Sequence, residues 1–349
     1  MPGEIWSKAL ENLSQNKDLS TSESRAVMEE ILSGSRSTEE IAEFLVRHTA
    51  KGGAALEVLG FIEAMYAHAA PIKITERAVD TVGTGGDGFH TINISTTSAI
   101  VAASAGARVV KHGNRAATSQ SGAADVLEAL GVKIDLNGEQ VAQLVREIGL
   151  GFCFAPMFHG AMRHAGPARK SLSYPTIFNI LGPLSNPAKP TAYAIGVAKA
   201  EMFSIVAQVL RARGVDALVF RGADGLDEIS LSEPSQIYVI SSQRAIQTEI
   251  DPLKWGIPRT SIDSLRGGNA HDNAAHLREI LAGRSGPMRD VVLLNAAAAL
   301  IAFQGFGENV ESENIDERFM SALESVRVAI DSGAATALLD KWIERSHQV

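Results

Sequence analysis

With 349 residues the chain has room for about two domains and a sizeable core, and its net charge of −8 speaks against a general nucleic-acid or anionic-membrane surface. Aromatic residues make up only 5%, while alanine, glycine and small hydroxyl residues abound, which suits helices packed closely on a sheet. Cys153 is the single cysteine, the longest apolar stretch (Val291 to Phe303) is too short for a bilayer, and Glu4, Lys8 and Glu11 stand where a secretory leader would be apolar, so a cytoplasmic location is expected.

The first seventy residues read as helices. Ser20 with Glu23 and Ser37 with Glu40 are capping-box patterns ahead of apolar residues at helical spacing. From Ala54 to Ala69, Leu56, Leu59, Ile62, Met65 and Tyr66 form one apolar stripe, which predicts Glu57 and Glu63 on the solvated side. From Ala78 short β-like runs alternate with helical patterns. Strands are expected at 79–82, 107–111, 152–155, 192–197 and 217–221, and helices at 94–105, 123–130, 139–148 and 201–213. Such alternation predicts a mostly parallel sheet covered by helices. The runs 236–240 and 245–250 suggest a hairpin at a sheet edge, and everything from Asn269 onward reads as helical with a polar end. The proline-rich stretch from Arg169 to Pro190 breaks the rhythm and is expected to pack on the first helices, leaving a cleft. The division expected is a helical domain of residues 1–73 with 166–187 and an α/β domain of residues 74–165 with 188–349.

Two glycine- and hydroxyl-rich loops carry the chemistry. Asp80-Thr-Val-Gly-Thr-Gly-Gly-Asp-Gly88 runs on to Asn93-Ile94-Ser95-Thr96 at a helix start, and Lys111-His112-Gly113-Asn114-Arg115 follows the next strand pattern. Glycines let backbone approach a ligand, and helix starts present N–H groups to anions. The asparagine and hydroxyl residues also read as plain helix caps, and His112 as a hydrogen-bonded structural histidine. No Asp or Glu occurs from Gly88 to Ala124 or from Ile148 to Ala200, although Arg108, Lys111, Arg115, Arg163, Arg169 and Lys170 fall there. Two segments cleared of acids in an acidic chain suggest an anion between them, or simple burial. Asp227 and Glu228 in Asp224-Gly225-Leu226-Asp227-Glu228 suit Mg2+, which takes one or two carboxylates plus phosphate oxygens and water, or form an acidic surface turn. Arg169 reads equally as a ligand contact or a structural ion pair.

Together these motifs, with Gly166–Arg169 and Thr176–Pro187, resemble the anthranilate phosphoribosyltransferase family in order and spacing over nearly the whole chain. The resemblance implies a small helical domain plus an α/β domain, a homodimer joined through the helical domain, and transfer of phosphoribose from phosphoribosyl pyrophosphate (PRPP) to the amine of anthranilate. It implies that Gly83, Gly86, Asp87, Thr91, Asn93, Ile94, Ser95, Thr96, Lys111, His112, Gly113, Asn114, Arg115, Ala116, Ala117, Thr118, Ser119 and Ala123 surround the donor. By the same resemblance Gly83, Asn114 and Arg169 contact anthranilate, and Ser95, Asp227 and Glu228 hold Mg2+. Because an aromatic amine is neutral at pH 7 and needs no strong base, catalysis by positioning and electrostatics is expected, with no nucleophilic residue. Three positions depart from the family pattern: Ala123 and Thr118 where serine is common, and Gly160 where proline usually follows the histidine. A pyrimidine nucleoside phosphorylase-like enzyme and a non-catalytic nucleic-acid-binding relative are the alternatives. The acidic pair and the glycine-loop pairing speak for the transferase over the first, and the net charge of −8 with the acidic pair speaks against the second.

Overall fold

The computed structural model describes residues 2–116, 120–242, 244–306 and 315–349. Four helices come first: α1 (Pro2–Ser14), α2 (Thr21–Leu32), α3 (Thr38–Lys51) and α4 (Ala55–Ala67). Both expected capping boxes are present. The Ser20 hydroxyl accepts from the Glu23 amide and Ser37 does the same for Glu40, while each glutamate returns to the cap's own N–H.

The expected face of α4 is corrected. Leu56 is exposed, and Glu57 is completely buried beside Val58, Phe61 and Ile62. Its carboxylate is drawn inward by donors: the amides of Leu19 (2.8 Å) and Ala54 (2.9 Å), Lys51 Nζ (3.0 Å) and the His48 ring (3.1 Å). A hydrophobic stripe cannot register such a pull, because Leu19, His48 and Lys51 lie outside α4.

A seven-stranded sheet follows. Its order is β3 (Leu150–Phe154), β2 (Val109–Gly113), β1 (Val79–Gly83), β4 (Ala192–Gly196), β5 (Asp216–Gly222), β6 (Ser235–Ile240) and β7 (Ala245–Ile250). The first five run parallel, and β6 and β7 form the expected antiparallel hairpin at the edge. Helices α5 (Ile94–Ser104), α6 (Ala123–Leu130), α7 (Gly138–Ile148) and α11 (Ala200–Ala212) supply crossovers. A short piece, α8 (Ala155–Phe158), and a 3-10 turn (Gly160–His164) lead into α9 (Gly166–Ser171) and α10 (Phe178–Leu184). After the hairpin come α12 (Ala270–Leu281), α13 (Pro287–Gln304), α14 (Ile315–Asp331) and α15 (Ala334–Ser346).

Central strands send alternate side chains into two cores, as strand pleating requires. Ala192 and Ala194 join a core with α5, α12, α13 and α14. Tyr193, Ile195 and Val197 join a second with α1–α4, α9, α10 and α11. The proline-rich excursion thus packs on the first helices, as expected. Arg213 ties that arrangement to the sheet, donating to the hydroxyls of Tyr66 (3.0 Å) and Tyr193 (2.7 Å) and to the Leu184 carbonyl (2.9 Å).

Candidate active site

Because β1, β2, β4 and β5 are parallel, the loops after them leave from one edge of the sheet. At β1 the strand order reverses, with β2 on one side and β4 on the other. That is where open α/β sheets form a crevice for ligands. The glycine loop follows β1, the Lys111–Arg115 segment straddles the end of β2, and the acidic turn follows β5.

The acidic turn is seated directly on the glycine loop. The Gly85 amide donates to Asp227 Oδ2 at 2.6 Å. A Cβ on Gly83 would stand 2.3 Å from that oxygen, and one on Gly196 would stand 1.7 Å from the Asp227 carbonyl. Neither position admits a side chain without moving the turn. Gly85 and Gly86 have open space but lie at φ 68° and 81°, the left-handed region that L side chains rarely adopt. Asn295 holds the turn from behind, accepting from the Ile229 amide (2.9 Å) and donating to its carbonyl (3.3 Å).

Asp227 and Glu228 are both buried. Burial first and the neighbouring Asp87 second push the Asp227 carboxyl up to about 8. Burial and Asp227 push Glu228 well above the usual range, against the pull of Lys111 and the Ser95 amide. Here are two buried carboxyls, a third beside them, and too little positive charge to hold them ionised. That imbalance fits a divalent cation completed by ligand oxygens and water. Among the described residues no group of three or more His, Cys, Asp or Glu is arranged to hold a metal alone.

Lys111 lies inside β2, because that strand begins two residues later than the expected run and extends to Gly113. Its ammonium is buried and donates to the Thr81 carbonyl (2.6 Å) and Ser95 Oγ (3.1 Å). Burial lowers its pKa, opposed by Asp80 and Glu228. Lys111 therefore joins β1, the start of α5 and the acidic turn.

Asn93 and its neighbours are more than caps. The Asn93 side chain makes no capping bond. It donates to the Ser121 carbonyl (3.0 Å) and accepts from Asn273 (2.8 Å), linking the two loops to α12. Ile94 and Thr96 are buried, and Thr91 sits in a bridge with Arg266. The Asn114 side chain accepts from the Arg115 amide (2.8 Å), and the Ala116 amide reaches Asp125 (2.9 Å). Ala123 faces Gly113, where a Cβ would lie 3.0 Å from the Ala123 methyl. Ala117, Thr118 and Ser119 lie outside the described residues.

Two basic residues behave differently from each other. The Arg115 guanidinium is engaged by Asp125 (3.0 Å) and Glu128 (2.5 and 2.9 Å), just beyond the acid-free segment. Arg169 has no ion pair among the described residues, is exposed, and stands with its guanidinium carbon 5.2 Å over the Phe178 ring. His112 is buried and neutral. Burial, then His159, drive its pKa to about 3, while its Nδ1 donates to the Gly182 carbonyl at 3.0 Å and Nε2 has no partner. His159 packs 5.3 Å away and bonds the Ser185 carbonyl.

Sequence reasoning missed Gly196, Asn273 and Asn295. Only Asn295 left a signal, as the lone polar residue in a long apolar run.

A model of the glycosyl transferase family a/b domain matches residues 75–336, and one of the glycosyl transferase family helical bundle domain matches residues 7–69. Anthranilate phosphoribosyltransferase of Rhodococcus opacus is 48% identical, covering 99% of this chain and 94% of its own, and that of an Arthrobacter species is 47% identical, covering 98% and 96%. The chain belongs to the anthranilate phosphoribosyltransferase family. Among solved structures, anthranilate phosphoribosyltransferase from Thermus thermophilus superposes with TM-score 0.89 at 35% identity, covering 97% of this chain and 99% of that one. The Saccharomyces cerevisiae enzyme in complex with PRPP and Mg gives TM-score 0.87 at 26% identity, covering 99% and 98%. The family's two-part architecture, a helical bundle and an α/β part with a mostly parallel sheet, is the one found here.

Proposed function

We propose that the chain transfers phosphoribose from PRPP to the amine of anthranilate, giving N-(5-phosphoribosyl)anthranilate and pyrophosphate in tryptophan biosynthesis. One observation carries this reading: in a chain of this family, the acidic turn is hydrogen-bonded to the glycine loop at the strand edge where Lys111 also ends. In the reaction the anthranilate nitrogen forms a bond to ribose C1, the bond from C1 to the pyrophosphate oxygen breaks, and the nitrogen gives up a proton. The sugar gains positive charge and the leaving group negative charge.

The glycine-loop amides, Asn93 to Thr96 at the start of α5, and the segment from Lys111 to Ser119 surround the donor with backbone donors and hydroxyls. Ser95, Asp227 and Glu228 would hold Mg2+, whose chemistry is to stabilise pyrophosphate as charge develops. Arg169 would take the anthranilate carboxylate, with Gly83 and Asn114 beside it. An aromatic amine is already neutral at pH 7, so no strong base is needed. Catalysis rests on positioning and on electrostatics set before reaction. With Arg115 held by two carboxylates, its contribution to the donor is through backbone rather than its fork.

The second core, which joins α1–α4 with α9 and α10, supports reading residues 1–73 with 166–187 as one domain and 74–165 with 188–349 as the other. We also propose a cytoplasmic homodimer joined through the helical domain, where Val46 and Leu56 are exposed. Among the described residues no helix is long and apolar enough to cross a membrane. Anthranilate fluorescence tests the activity. It is expected to fall on adding PRPP and Mg2+ and to persist with chelator; equal loss with chelator overturns the metal role, and no loss overturns the transfer.

A further inference from the structure

The sheet has a seam. Strand β1 pairs with β4 over five residue pairs, and β2 with β3 over five, yet β1 and β2 pair only at Val79 and Val109. One step further, an unbroken parallel ladder would join the Thr81 amide to the Val110 carbonyl and the His112 amide to the Thr81 carbonyl. Three of those backbone groups, the two carbonyls and the His112 amide, are instead satisfied by three side chains. The His112 amide donates to the Asp80 carboxylate (3.2 Å). Lys111 Nζ donates to the Thr81 carbonyl (2.6 Å), and Asn186 Nδ2 donates to the Val110 carbonyl (2.8 Å). Asn186 Nδ2 also donates to Asp80 Oδ2 (2.9 Å), and its own oxygen accepts from the Ala188 amide (3.0 Å). Asp80 and Asn186 are fully buried and Lys111 nearly so.

Buried backbone groups must find partners, and strands would ordinarily find them in each other. Here a buried carboxylate, an ammonium and an amide take that place at the start of the two loops that the proposed function assigns to the donor. We infer that Asp80, Lys111 and Asn186 form a polar wedge that holds β1 and β2 apart, and that Asp80 and Asn186 are positioning residues for donor binding. The split sets the separation of the glycine loop from the Lys111–Arg115 segment. It also turns Lys111 toward Ser95. Asn186 comes from the end of the excursion after α10, so docking of that segment is coupled to the seam. Neither residue touches the donor in this account; each acts through backbone and through Lys111.

The inference rests on the proposed transferase reading, and wild-type binding of PRPP with Mg2+, followed by titration calorimetry, separates the two. No wild-type binding overturns both. Given wild-type binding, Asp80→Asn is expected to weaken it about tenfold to hundredfold, the scale of a buried hydrogen bond to a charged group. The donor KM should rise in step while the anthranilate KM stays within about twofold. Hydrogen exchange at His112 should quicken. The paired swap Asp80→Asn with Asn186→Asp restores one donor–acceptor match and should recover part of the loss. Should Asp80→Asn fail to fold, Asn186→Ala, which keeps the carboxylate, is expected to show the same one-sided donor effect. Lowered thermal stability with donor and anthranilate KM unchanged, or changed equally, would reduce the wedge to scaffolding and overturn the inference.

Discussion

The molecule buries carboxylates in two places and treats them in opposite ways. Glu57, in the helical bundle, is fully enclosed yet has its pKa lowered, because His48, Lys51 and the Leu19 amide outweigh the cost of burial. Asp227 and Glu228, at the strand edge, have theirs raised by burial first and by neighbouring negative charge second, with only Lys111 and a few amides in opposition. The first arrangement is complete in itself and stabilises the bundle. The second is balanced only when positive charge arrives from outside, as expected of a site made for a cation and its anionic ligand.

The largest effect should fall on the complete network. Glu57→Ala leaves Lys51 and His48 buried without their carboxylate and should cost about 3–5 kcal/mol in urea unfolding. A loss near zero would erase the contrast. Asp227→Asn should do the reverse, lowering kcat/KM on the order of 10²–10³ by removing leaving-group stabilisation, while the melting temperature near pH 7 holds or rises because a carboxyl that burial keeps from ionising is gone. A sharp fall in melting temperature would make Asp227 structural like Glu57.

Arg169→Ala sharpens the comparison from the acceptor side. Its effect should be about a tenfold to hundredfold rise in anthranilate KM with little change for the donor; equal rises would remove its assigned role. The smallest effect concerns pH. The folded Asp227 carboxyl holds its proton up to about 8, whereas the unfolded one loses it near the ordinary aspartate value of 3.8. Stability from this group therefore falls as pH rises through that window and levels above it. Mg2+ needs the ionised form, so its stabilising effect should grow over the same range. Melting curves of wild type against Asp227→Asn, with and without Mg2+, isolate the term; a pH-independent difference contradicts it.

Much of this was legible in the chain. Strand–helix alternation found all seven strands, since runs such as 192–197 are apolar on both faces and are buried on both. Capping boxes placed α2 and α3 because their partners lie three residues apart. The errors share a cause. Glu57 reads as a surface residue, and β2 reads as ending before His112. In both cases the deciding partners, Leu19 and Lys51 for Glu57 and strand β3 for the β2 end, where His112 pairs with Cys153 and Gly113 with Phe154, come from other stretches of chain. Local pattern reads local forces, and buried polar groups are settled by distant ones. The glycine requirement at Gly196 was silent for the same reason.

The most direct test of the account is the anomalous signal of Mn2+, standing in for Mg2+, in crystals grown with PRPP. A peak is expected bounded by the Asp227 and Glu228 carboxylates and Ser95, with the pyrophosphate on the glycine-loop side. A peak remote from these residues, or donor bound away from the loops after β1 and β2, would contradict it.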